Sequence, residues 1–95
     1  MINKNNYYLG EIIDGFTDES IDEFYKEKAK EIMPDLVKKN SELMNLYPSD
    51  LKFRKNKTRF GSCSYKNSIS LNILLMKYPL NVIEYVIIHE LAHIK

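Results

Sequence analysis

The sequence predicts an α+β fold, and three observations carry that reading. Residues 20–46 repeat apolar side chains at helical spacing, residues 51–72 alternate apolar and polar in short runs, and a second helical pattern starts at Pro79. Ninety-five residues make one small domain, long enough to bury one modest core. A content of 44% hydrophobic and 28% charged residues is that of a soluble globular protein rather than a disordered chain. No apolar run is long enough to span a bilayer, and Met1-Ile2-Asn3-Lys4-Asn5 does not lead into a secretory core. The single cysteine, Cys63, excludes an internal disulfide framework and fits a reducing compartment, so a cytoplasmic protein is expected.

Taken in order, Tyr7-Tyr8-Leu9-Gly10-Glu11-Ile12-Ile13 reads as a short strand or extended arm that ends at the turn-prone Asp14-Gly15. Ser20 and Glu23 have capping-box spacing, and Asp18 and Glu19 add negative charge where a helix N-terminus favours it. Ile21, Phe24, Tyr25, Ala29, Ile32, Met33, Leu36 and Val37 then form a helical apolar stripe, expected to be core. Pro34 lacks an N–H for the preceding turn, so it is expected to kink the helix or restart it. Leu51-Lys52-Phe53-Arg54 has the period of a half-buried strand. Residues 59–64 and 69–72 read as two more strands, joined as a hairpin through Lys66-Asn67-Ser68. Pro79 suits the first turn of the last helix.

Charge is segregated although the net value is only +1. Residues 1–50 hold eleven of the thirteen acids, and residues 51–83 hold seven Lys and Arg with no acid. Such a run attracts phosphates or acidic ligands, or is simply a solvated strand face.

The last helix carries the chemistry. His89-Glu90-Leu91-Ala92-His93 places two histidines four apart, one turn above each other on one helix face. Two imidazoles so placed can share a zinc ion, and the intervening glutamate can take a proton from a water activated there. The helix is apolar nearly all round, as a buried helix is, so two histidines and a glutamate in it need a metal or hydrogen-bond partners. Cys63 reads either as a soft thiolate donor or as a small buried strand residue. Arg59 reads either as a bidentate holder of a substrate carboxylate or phosphate, or as one half of an ion pair. Gly61 permits close backbone approach in the sheet.

Lys57-Thr58-Arg59-Phe60-Gly61-Ser62-Cys63, then Ile69-Ser70-Leu71-Asn72, then the His-Glu-x-x-His segment occur in this order and at close spacing. The combination closely resembles the YgjP-like metallopeptidase family, related to the SprT-like and other zincin-type proteins; Phe60 stands where that family usually has tryptophan. The resemblance is specific over residues 50–95 and loose over the long helix. It implies a zincin-like half-domain, with the long helix and the zinc helix packed on a small twisted sheet. It also implies Zn2+ as cofactor, His89 and His93 as ligands and Glu90 as general base. Catalytic zinc takes three protein ligands plus water, and the family's third, a histidine about six residues after the second, would fall beyond Lys95. The family's strand-rich segment ahead of Tyr8 is also largely missing. Residues 1–95 are therefore expected to be one partial metallopeptidase domain, inactive as a fragment.

Three functions compete at this point. A zinc peptidase acts on a peptide or protein substrate held along a sheet edge. A metal-dependent hydrolase of nucleotides or other phosphate esters uses the basic run to hold phosphate. A non-catalytic module binds nucleic acid through the same charges, although aromatic residues do not alternate with them as a stacking surface requires.

Overall fold

One long helix, α1 (Asp18–Met44), backs the whole structure. Its start is set by Thr17, whose hydroxyl accepts the Ser20 N–H at 3.1 Å while the Ser20 hydroxyl accepts the Thr17 N–H at 2.7 Å. The reciprocal cap therefore lies three residues earlier than the Ser20–Glu23 spacing suggested. The helix runs unbroken through Pro34, whose ring is exposed, so the proline does not restart it. Asn45 ends it in the left-handed conformation at φ 56°, a position that Asn tolerates better than most residues. Ile21, Tyr25, Ala29, Met33 and Val37 form a buried ridge at every fourth residue, flanked by the half-buried Phe24, Ile32 and Leu36.

The computed structural model describes residues 6–56 and 58–94. Lys57 of the basic run, the leading residues 1–5 and Lys95 lie outside the described residues. Two short sheets lie against α1. The predicted single arm at residues 7–13 is a hairpin of β1 (Asn6–Tyr8) and β2 (Glu11–Ile13), turning at Leu9 and Gly10, φ 51° and 86°. Leu9 is held in that unfavoured conformation because its N–H bonds the Met76 carbonyl at 2.8 Å and the Gly10 N–H bonds the Lys77 carbonyl at 3.0 Å.

The second sheet contains β3 (Asp50–Arg54), β4 (Gly61–Cys63) and β5 (Ser68–Asn72) in the order β3-β5-β4. β4 and β5 form the expected antiparallel hairpin, with Ser62 opposite Ser70. β3 pairs in parallel with β5, with Leu51 opposite Ile69 and Phe53 opposite Leu71. β5 is thus central, and its Ile69 and Leu71 are fully buried while Lys52 and Arg54 of β3 point to solvent. A 3-10 turn (Ile73–Lys77), capped by the Asn72 side chain, leads to Pro79 and α2 (Leu80–Leu91). Ile83, Ile87 and Leu91 of α2, with Ile94 beyond it, complete the core. The result is the α+β arrangement of two helices packed on small sheets that the sequence predicts. Among the described residues no helix is long and apolar enough to cross a membrane.

Tyr25, 1% exposed, donates its hydroxyl to the Tyr7 carbonyl at 2.6 Å and so ties the hairpin to α1. Burial raises its pKa, and the nearby Asp22 charge adds to the rise. A raised acid favours the neutral form in the folded state. The stability it contributes is therefore complete below the unfolded value of about 10 and lost as pH rises through the folded value. Tyr25→Phe should cost about 1 kcal/mol at neutral pH through the lost hydrogen bond. Urea midpoints for both proteins from pH 8 upward should converge, because the substituted protein lacks this titration; parallel curves would contradict the assignment.

Candidate active site

α2 divides its faces. Ile83, Ile87 and Leu91 enter the core, while Tyr85, His89 and His93 line an open cleft of about 840 Å³. The helix is not buried all round: Tyr85 is 69% and Ile88 39% exposed. The reason is that α1 and the sheet cover only one side, and the remaining apolar side chains border the cleft or solvent. His89 and His93 are likewise exposed, so burial alone does not demand a partner for them. That argument applies instead to Glu90, which is 8% exposed.

His93 lies one residue past the α2 C-cap, Ala92, in a tightened turn. Its N–H bonds the Glu90 carbonyl at 3.1 Å and the Ile94 N–H bonds the Leu91 carbonyl at 3.0 Å, three residues back in each case. Buried Ile94 anchors this turn in the core. The turn keeps His93 on the same side as His89. Their ring centroids are 5.0 Å apart at an interplanar angle of 85°, and Tyr85 stacks beside His89 at 6.4 Å and 19°. Two imidazoles bound at about 2.0–2.1 Å to one tetrahedral ion hold their ring centres about 5 Å apart. The spacing of the two rings matches that separation. Among the described residues no set of three His, Cys, Asp or Glu is gathered to hold a metal, so neither Cys63 nor an acid joins the two histidines.

The opposite wall of the cleft is β4. A Cβ built on Gly61 would lie 3.1 Å from Glu90 Cγ, 3.3 Å from Glu90 Oε2 and 3.2 Å from the Ser70 carbonyl oxygen. Glycine at 61 is what lets the Glu90 side chain lie against the strand, between the two histidines in sequence and beneath the cleft in space. Sequence reasoning anticipated a close approach at Gly61 but not that Glu90 makes it. Burial, and then the charge of Glu90, push the Cys63 thiol above its ordinary pKa, which favours its neutral form beside the carboxylate.

β4 is an edge strand. The Asn72 N–H bonds the Phe60 carbonyl at 2.8 Å and the Ser64 N–H bonds the Ser68 carbonyl at 2.9 Å, which sets the alternation of the antiparallel ladder. By that alternation the N–H and C=O groups of Gly61 and Cys63 face away from β5, along the cleft. Arg59 stands at the cleft wall just before β4. Its carbonyl, with that of Asn56, accepts from the buried Asn72 amide, which fixes the loop entering β4. Among the described cations of the basic run, Arg59 is the one that lines the cleft; Lys55 is turned to Asp22 on α1 at 2.6 Å.

A family model described as YgjP-like, metallopeptidase domain, matches residues 5–95. Comparison with curated proteins and with solved structures returned no match.

Proposed function

The chain belongs to the YgjP-like metallopeptidase family, and on that premise we propose that it is a zinc-dependent peptidase domain with Glu90 as its general base. The observation that carries the reading is the position of Glu90: a buried carboxylate packed on an edge strand, next in sequence to one of two paired imidazoles. His89 and His93 would hold the ion, and a third donor at the position implied by the family resemblance would complete its protein ligands. When bound, zinc supplies Lewis acidity that polarises a carbonyl and acidifies water.

The chain's own groups account for the rest. The outward N–H and C=O groups of Gly61 and Cys63 pair with an extended peptide, which fixes its register along the cleft. Glu90, facing that register from the floor, takes the proton of the attacking water and then passes it to the leaving amine. Burial keeps its carboxylate clear of competing cations: among the described residues it has no ion pair. Arg59 at the end of the cleft supplies a fork for a carboxylate of the substrate.

A peptide substrate is favoured over a phosphate ester because, among the described cations of the basic run, Arg59 alone lines the cleft, while Lys55 is paired with Asp22 on α1. Cleavage of a mixed peptide pool by the protein should stop on chelation and return with zinc. Lys55→Ala should leave it unchanged. Chelator-resistant cleavage would remove the zinc reading, and a strong loss in Lys55→Ala would restore the phosphate reading.

A further inference from the structure

A second groove, about 320 Å³ in volume, lies between α1 and β3, away from the histidines. Lys26 and Lys30, one turn apart on α1, form one wall, and Arg54 and Lys55 at the end of β3 form the other, with Phe53 between them. No acidic side chain lines it. Of the four cations, Lys55 is paired with Asp22 at 2.6 Å; Lys26, Lys30 and Arg54 have no ion pair among the described residues. Two sequence-distant basic segments thus meet, although the acid-rich α1 has Asp and Glu enough to neutralise its own lysines elsewhere. Unbalanced cations gathered on one concave surface repel each other and lower stability unless an anion offsets them.

The cations continue beyond the groove. Arg54 also borders a small recess on the sheet, and Arg59 borders that recess as well as the active cleft. The anion that fits a track of this kind is a repeating one. Phe53, half-buried and packed on the core, gives the groove an apolar floor between the cations.

We propose that the groove between α1 and β3 binds the phosphate backbone of single-stranded nucleic acid. Lys26, Lys30, Arg54 and Lys55 contact phosphates, and the strand runs across the sheet face toward Arg59. Phosphate binding at Lys26, Lys30, Arg54 and Lys55 needs neither the metal nor the peptidase reading, since none of these four lines the histidine cleft; Arg59, toward which the strand runs, borders both.

The test is binding of fluorescein-labelled oligothymidylate to the chain by anisotropy, between 50 and 200 mM salt, with and without chelator. Four phosphate contacts predict that affinity falls about fiftyfold over that range, because the logarithmic slope is about −0.7 per contact on single strands. Lys26→Ala/Lys30→Ala/Arg54→Ala leaves one contact, so the fall should shrink to about threefold. All three side chains are exposed, so the variant should fold, and its thermal melt checks this. A charge-matched variant on other faces of α1, Lys28→Ala/Lys38→Ala/Lys39→Ala, should bind as the unaltered chain does. Asp22→Asn, which releases Lys55, should bind more tightly. Equal weakening by the two triple variants would overturn the proposal, as would displacement of the oligonucleotide by polyglutamate at equal charge.

Discussion

Glu90→Gln lowers peptide hydrolysis by about 10²–10⁴-fold, the share that a positioned general base contributes, with zinc affinity unchanged. Glutamine keeps the shape and volume of glutamate, so it preserves the packing against Gly61, whose virtual Cβ lies 3.1 Å from Glu90 Cγ. What it removes is the acceptor for the proton of water. Neither the 5.0 Å spacing of the histidine rings nor the tightened turn that follows α2 depends on that charge. Steady-state cleavage read beside a zinc titration separates the two roles. Joint loss of zinc and activity would make Glu90 a ligand, and retained activity would place the base elsewhere.

Gly61→Ala is the second large effect, and it acts without touching a titratable group. The new methyl would meet the Ser70 carbonyl at 3.2 Å and Glu90 at 3.1 and 3.3 Å. The carbonyl belongs to central β5 and cannot move without disturbing the paired strands on both sides. The carboxylate therefore yields, shifting by a few tenths of an ångström or more toward the cleft. Displacing a reacting group by about 1 Å costs on the order of 100-fold in rate, so a tenfold to hundredfold fall in kcat is expected. Zinc affinity and overall fold should hold, because neither histidine is among the nearest atoms that the new methyl meets. Gly61→Ala combined with Glu90→Asp, which withdraws the carboxylate by one methylene, should bind zinc normally and show little further loss beyond Glu90→Asp alone. Additive losses would mean that Gly61 acts through β4 rather than through Glu90.

The parts of the fold that were legible in the sequence are those with a local period. The fourfold spacing of Ile21, Tyr25, Ala29, Met33 and Val37 wrote α1, and the alternation Leu51-Lys52-Phe53-Arg54 and Ile69-Ser70-Leu71-Asn72 wrote two strands. His89 and His93 needed only helical geometry to be placed on one side. What stayed hidden depends on distant partners. The β1–β2 turn uses Leu9 at φ 51°, a residue with no turn signature, because the carbonyls of Met76 and Lys77 hold it there. The capping box needed Thr17 and Ser20 to exchange hydroxyl and N–H bonds, a pairing less distinctive than Ser with Glu. No local pattern could say that β5 lies between β3 and β4, since that order rests on β3 pairing with β5 rather than with β4, its neighbour in sequence. At the site, the burial of Glu90 follows from the missing Cβ at Gly61, twenty-nine residues earlier in the chain. The convergence of Lys26 and Lys30 with Arg54 and Lys55 follows likewise from packing β3 against α1.

The central claim is that His89 and His93 together hold a zinc ion while Glu90 stands beside it as base. Isothermal titration of zinc into the chain, into His89→Ala/His93→Ala and into Glu90→Gln tests it most directly. Binding should occur at one ion per chain in the unaltered protein and in Glu90→Gln, with the same affinity. It should vanish in the double histidine variant, whose exposed substitutions leave the core of Ile83, Ile87 and Leu91 intact. One-to-one binding that survives the loss of both histidines would contradict the account.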